Sequence, residues 1–353
     1  MLGSGGIALS HVVSLTAGGH VVTLWSPSGR GTESFAGGEP VVARGLLEGE
    51  AWPRIGTDIA GVVSGADAVI IALRGNGHRP VMDRLAPCLR AGQAVIVSSQ
   101  YSLSALYLAK LMHARGVEVL IAAWGTTAVT AHRSGNVVNV TAIRQKIDVA
   151  AVPARATPRA MALCTELFGD RFESRDDVLA IALSNLNPPI HMANCLCNLS
   201  RIERGEDWEM YGMVTPSIGR LIEALDAERL ALAEIFGLRV RSVFVHLALS
   251  FDLPVAATVQ EMQNTLNARR PALGPKTAAH RHIDEDLPFG IVPLVRIGEI
   301  AGLPMKLHAA GVTLMSGLRG RDLAAENDLL PAMDFGSMTA EQFHRVAREG
   351  WAR

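Results

Sequence analysis

The chain reads as an α/β domain of the Rossmann type with its first strand truncated, followed by an all-α C-terminal domain. Three observations predict this. The chain opens on Gly3-Ser4-Gly5-Gly6-Ile7-Ala8, a glycine fingerprint that runs into a helical stretch and then an apolar, strand-like one. From there to about Pro153, short β-type runs alternate with helical ones, the pattern of a mostly parallel sheet covered by helices. Beyond Asp177 the two-residue alternation stops and long amphipathic patterns at helical spacing take over. At 353 residues the chain exceeds one ordinary core, so two domains are expected, at 1–176 and 177–353.

In a dinucleotide-binding turn the first glycine makes the tight exit from strand one and the second lets backbone approach the pyrophosphate. A third small residue lets helix and strand pack closely. Gly3, Gly5 and Ala8 fit these jobs, with Ser4, Gly6 and Ile7 between them. The plainer reading of the same residues is a flexible start. Only Met1 and Leu2 remain of a strand that usually runs about five residues. Either the natural coding region begins upstream or the first strand is a stub.

Leu9 to Ala17 continues as a helix, Gly18-Gly19 stops it, and His20 to Trp25 reads as a buried strand. Further strands are expected at 66–73, 93–99 and 117–124, separated by helices near 80–89 and 102–115. Stretches 136–146 and 148–152 read as a strand pair finishing the first domain, with a helix near 158–168 after them. The second domain should hold helices at about 188–204, 216–236, 238–251, 255–266, 289–302 and 305–318.

Hydrophobic residues make up 49%, charged residues 19% and aromatics only 5%. That excludes a disordered chain and leaves little material for platforms that stack nucleic-acid bases. The net charge is −1 with both signs interspersed, so no global field would hold a nucleic acid or an anionic membrane. No apolar run approaches the ~18 residues of a membrane span. The apolar stretch at 7–25 lacks the basic start of a secretion signal and is broken by its glycines. Cys88, Cys164, Cys195 and Cys197 have no paired-ligand spacing and read as buried cytosolic thiols, with neither zinc nor a disulfide framework. A cytoplasmic protein without bound metal is expected.

Three segments carry candidate chemistry. Ser26-Pro27-Ser28-Gly29-Arg30 follows the second strand, where a dinucleotide-binding fold meets the adenosine ribose. A carboxylate there would bond the ribose hydroxyls and repel a 2′-phosphate, whereas Ser26, Ser28 and Arg30 can accept one, which favours NADP(H) with NAD(H) second. The competing reading is an ordinary turn with a solvated arginine. In Asn185-Leu186-Asn187-Pro188-Pro189-Ile190-His191, Pro188 suits a first helical turn with Asn187 as N-cap. Asn187 and His191 then share a face; a capping asparagine and a structural histidine are the alternative. In Arg281-His282-Ile283-Asp284-Glu285-Asp286, arginine offers a fork to a carboxylate and an aspartate could orient an imidazole, or the whole is a solvated loop.

The chain resembles the octopine/nopaline (opine) dehydrogenase family. The resemblance rests on Gly3 to Ala8, on Asn187-x-x-x-His191, on Tyr211-Gly212-Met213-Val214-Thr215-Pro216-Ser217 with Leu225-Asp226-Ala227-Glu228-Arg229, and on Glu285-Asp286-Leu287-Pro288-Phe289-Gly290. It spans most of the chain and implies an N-terminal NAD(P)-binding domain and a helical domain that binds two substrates. By resemblance His191 is the catalytic histidine, Asn187 its companion, and Arg281 and Asp286 complete the catalytic set. Tyr211 and Thr215 would line the amino-acid pocket, or else serve as a packing tyrosine and a helix cap. The chain departs from the family in its clipped strand, in His282 where an aromatic residue is frequent, and in Ser26 where NAD-dependent members tend to be acidic.

The activity implied is reductive condensation of an amino acid with a 2-oxo acid, or the reverse oxidation. Partners would be those small molecules, with a homodimer left open and no nucleic acid or membrane. A ketopantoate-type or glycerol-3-phosphate-type reductase is the rival, but it relies on a lysine acid and this chain has only Lys110, Lys146, Lys276 and Lys306, none in a catalytic motif. A catalytically silent dinucleotide-binding protein is the other. Asp226, Glu228 and Arg229 read as structural, and Met213, Met305 and Met315 as core filling.

Overall fold

In the computed structural model, which describes residues 1–351, the chain divides into two units, Met1–Ala182 with the stretch from Arg345 on, and Leu183–His344. The expected boundary at 176/177 thus differs by six residues, and the C-terminal tail belongs with the first unit. There the Trp351 indole donates to Leu106 O (3.3 Å) and carries the Lys110 ammonium over its ring (4.9 Å).

The strands of the first unit are β1 (Thr23–Leu24), β2 (Val41–Gly45), β3 (Gly49–Ala51), β4 (Arg54–Ile55), β5 (Ala68–Ile71), β6 (Ala94–Val97), β7 (Leu120–Trp124), β8 (Val129–Ser134), β9 (Val137–Ile143), β10 (Ile147–Val152) and β11 (Phe172–Ser174). β5, β6 and β7 run parallel as near-continuous Val/Ile/Ala, the composition of strands buried on both faces. β10 joins β7 antiparallel and β11 extends it parallel. On the other side the first strand is a single residue. Leu2 makes parallel bridges to Trp25 and Ile71 at once, its N–H donating to Ile70 O (2.8 Å) and its carbonyl accepting from Ala72 N (2.9 Å). Beyond Trp25, β1 pairs with β4. One residue therefore joins two sheet fragments into a continuous layer.

A second, four-stranded sheet has the order β3-β2-β9-β8. This corrects the expected pairing of 136–146 with 148–152. β9 pairs with β8 in a hairpin and with β2 in parallel, while β10 enters the main sheet. Helices α1 (Gly6–Ala17), α2 (Glu33–Ala36), α3 (Ile59–Ser64), α4 (His78–Leu85), α5 (Ser104–Arg115) and α6 (Thr157–Phe168) complete the unit. α1 ends at Gly18, as its glycine stop predicts.

The second unit is helical: α7 (Val178–Ser184) enters it, and α8 (Asn187–Cys197), α9 (Leu199–Glu203), α10 (Pro216–Ile235), α11 (Val243–Phe251), α12 (Val259–Arg269), α13 (Arg281–Asp284), α14 (Val292–Ile300), α15 (Lys306–Arg319), α16 (Leu329–Met333) and α17 (Ala340–Glu349) follow, the last running into the tail. Thr215 caps α10, its hydroxyl accepting from Ile218 N (3.4 Å). The Leu225-to-Arg229 motif is structural. Buried Arg229 donates to Asp226 and to the Leu183 and Arg241 carbonyls, and Asp226 also accepts from Val243 N (2.8 Å). Glu228 accepts from the Leu307 and His308 backbone N–H groups and from His308 Nδ1, capping α15. Met305 and Met315 are buried and Met213 packs against the same core. Of the four cysteines expected to be buried, Cys164 and Cys195 are, whereas Cys88 is half-buried and Cys197 exposed. Among the described residues no helix is long and apolar enough to cross a membrane.

His11 on α1 is 1% exposed, edge-on to Trp124 and Phe168, with neither ring nitrogen hydrogen-bonded. Burial lowers its pKa from 6.5 to about 3. A depressed histidine pKa means the unfolded chain binds the proton first, so this contribution to stability is intact above pH 6.5 and is lost as pH falls toward 3. His11→Phe is expected to flatten the acid limb of a denaturant-unfolding series, with a difference of roughly 3 kcal/mol near pH 4. Parallel limbs for the two proteins would reject the assignment.

Candidate active site

The glycine turn of the first unit is shaped residue by residue. Gly3 sits at φ +124°, and a Cβ there would lie 2.3 Å from Ala72 O, so only glycine fits the exit from Leu2. Gly5 is exposed and a Cβ on it would meet nothing within 4 Å. The second glycine position thus faces open space at the start of α1, where backbone N–H groups and the helix dipole favour an anion. Gly6 meets β8, a Cβ clashing with Ala131 O at 2.5 Å, and Ala8 is fully buried. The Ser4 hydroxyl lies against Gly31, while Ile7 is half-buried.

Ser26 follows β1 as expected, 5% exposed, with a buried Oγ that has no hydrogen-bond partner. Ser28 and Arg30 are exposed beside it. Two further residues belong here that the sequence did not reveal. Arg133 of β8 donates to Ser4 O (2.6 Å), Gly31 O (2.9 Å) and Gly135 O (2.7 Å), tying the glycine turn to the segment after Ser26. Arg84 of α4 lies over the Trp25 ring (4.9 Å). Neither carries a motif, because their partners are backbone carbonyls and a ring remote in sequence.

In the second unit α8 begins at Asn187, with Pro188 and Pro189 in its first turn. Asn187 is therefore the first helical residue and not the cap, which is Leu186; the Asn187 N–H is met by Asn185 Oδ1 (3.2 Å), from the residue before the cap. His191 lies one turn on. Its Nδ1 is 2.6 Å from Oδ2 of Asp286, 95 residues away, and Asp286 is fully buried. A carboxylate only accepts, so Nδ1 carries the proton in this bond and Nε2 is left to exchange protons. Cys195, a turn beyond, is a thiol pushed up to about 12 by burial and by the Asp286 charge.

Asp286 is placed by an irregular helix. α13 leads through Glu285 and Asp286 into a π-turn at Leu287–Ile291 and then into α14. Pro288 has no N–H to give, and its carbonyl is taken by Asn327 Nδ2 (2.7 Å). His282 and Asp286 are four apart and share a face. The His282 ring stacks on His191 with centroids 3.7 Å apart and planes at 21°. Arg281 is half-exposed and pairs through Nε with Glu285 Oε2 (3.2 Å). Thr215 is placed as a helix cap, and Tyr211 packs toward Phe251 (6.3 Å) and the core of this unit.

His191, His282 and Asp286 offer donor atoms within 4.8 Å of one another. Stacked rings, however, cannot both direct in-plane lone pairs at one ion. Chelation would require His282 to swing away from His191, so the geometry is that of a stacked pair and not of a metal centre.

Residues 174–319 match the family described as NAD/NADP octopine/nopaline dehydrogenase, alpha-helical domain. The match is to that family's alpha-helical domain and covers the helical part of this chain. A protein named opine dehydrogenase from Arthrobacter sp. (strain 1C) is 29% identical over 345 residues, covering 96% of this chain and 95% of that one. Among solved structures, an octopine dehydrogenase with NADH and L-arginine superposes over 100% of this chain and 98% of its own, with a TM-score of 0.81 at 14% identity. A yersinopine dehydrogenase with bound NADP+ gives a TM-score of 0.72 at 14% identity over 93% and 96%. The fold is that of these dehydrogenases.

The geometry makes one spectroscopic prediction. In ¹⁵N histidine spectra neutral His191 should show the Nδ1–H tautomer, and Asp286→Ala should convert it to a mixture. An unchanged spectrum in the variant would remove Asp286 as the group that sets the tautomer.

Proposed function

We propose that the protein is an opine dehydrogenase, joining the amine of an amino acid to the carbonyl carbon of a 2-oxo acid and reducing the resulting imine with NAD(P)H. The observation that carries this reading is the His191–Asp286 pair, built from two motifs 95 residues apart within the family's helical domain. The residues of the first unit fit a nicotinamide dinucleotide: Gly5 leaves open space at a helix start and Ser26 holds an orphaned hydroxyl. When bound, the reduced nicotinamide supplies the hydride.

The rest of the chemistry is proton transfer and positioning. The amine adds to the carbonyl, the carbinolamine loses water, and both steps need a group that gives and takes protons near working pH. His191 does this through Nε2, while Asp286 holds the tautomer and stabilises the imidazolium. Arg281, with Nε on Glu285, presents its guanidinium fork to a substrate carboxylate and fixes the reacting carbon. Asn187, one turn before His191, is its companion toward substrate, and Tyr211 and Thr215 belong to the approach to the amino-acid pocket. The lysine-dependent reductase reading is disfavoured by where the lysines lie. Lys110 covers Trp351, Lys146 pairs with Glu173, Lys276 pairs with Asp207, and Lys306 is exposed at the start of α15.

Among nicotinamide cofactors we infer a preference for NADP(H). No carboxylate stands at Ser26, and Arg30 and Arg84 bring guanidinium groups to that end of β1.

The deciding assay follows loss of reduced nicotinamide with pyruvate or 2-oxoglutarate, each with and without pooled amino acids. Oxidation that needs both partners is expected; oxidation with the oxo acid alone would mean a simple reductase. His191→Ala should lower turnover by about 10²- to 10⁴-fold while cofactor binding, read by fluorescence, is retained. Ser26→Asp should weaken NADPH binding by at least about tenfold and spare NADH. Equal effects on the two cofactors would place the 2′-phosphate elsewhere.

A further inference from the structure

One hydrogen bond constrains a distance, not a plane. Coupled rotations about χ1 and χ2 of His191 can keep the bond from its Nδ1 to Asp286 Oδ2 while the ring swivels and Nε2 moves. What opposes the swivel is His282. Its ring lies nearly parallel on His191 at 3.7 Å, and His280 backs it edge-on at 4.3 Å and 85°. The helix that supplies Asp286 also supplies this ring, from the same face one turn earlier. His282 Nδ1 has no hydrogen-bond partner, so bonding at that nitrogen does not explain the ring's placement. Burial first, then the charges of His191, His280 and Arg281, hold it neutral far below the usual histidine range. A neutral, flat neighbour can lie against His191 whether or not His191 carries a proton, which a second cation could not.

We propose that His282 is a positioning residue whose stacked ring sets the plane of His191 and thereby aims Nε2 at the reacting atoms. The inference rests on the acid–base reading of His191. Asp286 chooses the tautomer and His282 chooses the plane, and the two together define where the proton is delivered.

The test uses the full chain with His282→Phe, His282→Leu, His282→Ala and, alongside, His191→Ala. Phenylalanine keeps a flat ring without nitrogens, whereas leucine keeps apolar bulk without a plane. The expected result is that His282→Phe holds kcat close to wild type, while His282→Leu and His282→Ala lose about 10- to 100-fold in kcat with the KM for NADPH unchanged. The Nδ1–H signal of His191 should persist in all three, because Asp286 is untouched. Leucine performing as well as phenylalanine would overturn the proposal, and so would a folded His282→Phe as slow as His282→Leu, since that would make the ring nitrogens, and not the plane, essential. Wild-type turnover in His191→Ala would instead overturn the acid–base reading itself. If His282→Ala fails to fold, the phenylalanine and leucine pair decides.

Discussion

A fully buried carboxylate must be paired, and Asp286 is fully buried. That requirement organises the helical unit around His191. The partner comes from α8, whose two early prolines start the helix at Asn187 and set His191 one turn in. It meets Asp286 at 2.6 Å, just before the π-turn whose Pro288 carbonyl is taken up by Asn327. Removing either member of the pair would strand the other, so the proton-handling site is also part of what makes this core self-consistent.

The first unit answers a different constraint, close approach of backbone to backbone. Leu2 has strands on both sides and no strand of its own: its amide and carbonyl bond the β5 side, while Met1 O and Gly3 N bond Trp25, so the sheet is continuous because the groups of all three residues are used. The turn that follows can leave Leu2 only through a glycine at positive φ pressed against Ala72. Arg133 then bridges three carbonyls across the turn, holding open the exposed stretch at Gly5 that has no side chain to fill it. Rigidity around an empty position is what preorganised anion binding requires.

Much of this was legible in the sequence, for identifiable reasons. The strands β5, β6 and β7 are unbroken apolar runs, and helices α10, α12 and α15 repeat apolar residues at helical spacing, so burial wrote both into the pattern. The second sheet was half missed because β2, β3 and β8 mix Arg, Glu, His and Gly on exposed faces, and because the pairing that joins its two local ribbons, β2 with β9, spans about 95 positions. Arg133 was hidden because its three bonds go to backbone and leave no side-chain signature, two of them to Ser4 and Gly31 far away in sequence. Asn187 was misplaced by one step at a helix start, where the cap falls on Leu186, a residue with no capping side chain to announce it. His191 and Asp286 could be named, but neither could be given a partner by spacing alone. His282 gave no sign of its stacking, since a ring's plane is not a sequence property.

The π-turn at Leu287–Ile291 also sets a phase. Each residue of an α-helix advances the side chains by about 100°, so one extra residue within a turn rotates everything on one side relative to the other by about that angle. His282 and Asp286 lie before the offset and α14 lies after it. A heptad-style reading carried straight through this stretch would assign one of the two halves to the wrong face. Side chains within the turn can be exchanged for what their own contacts are worth. Inserting or deleting a single residue would rewind all the packing on one side, so the stretch encodes its function in length as much as in composition.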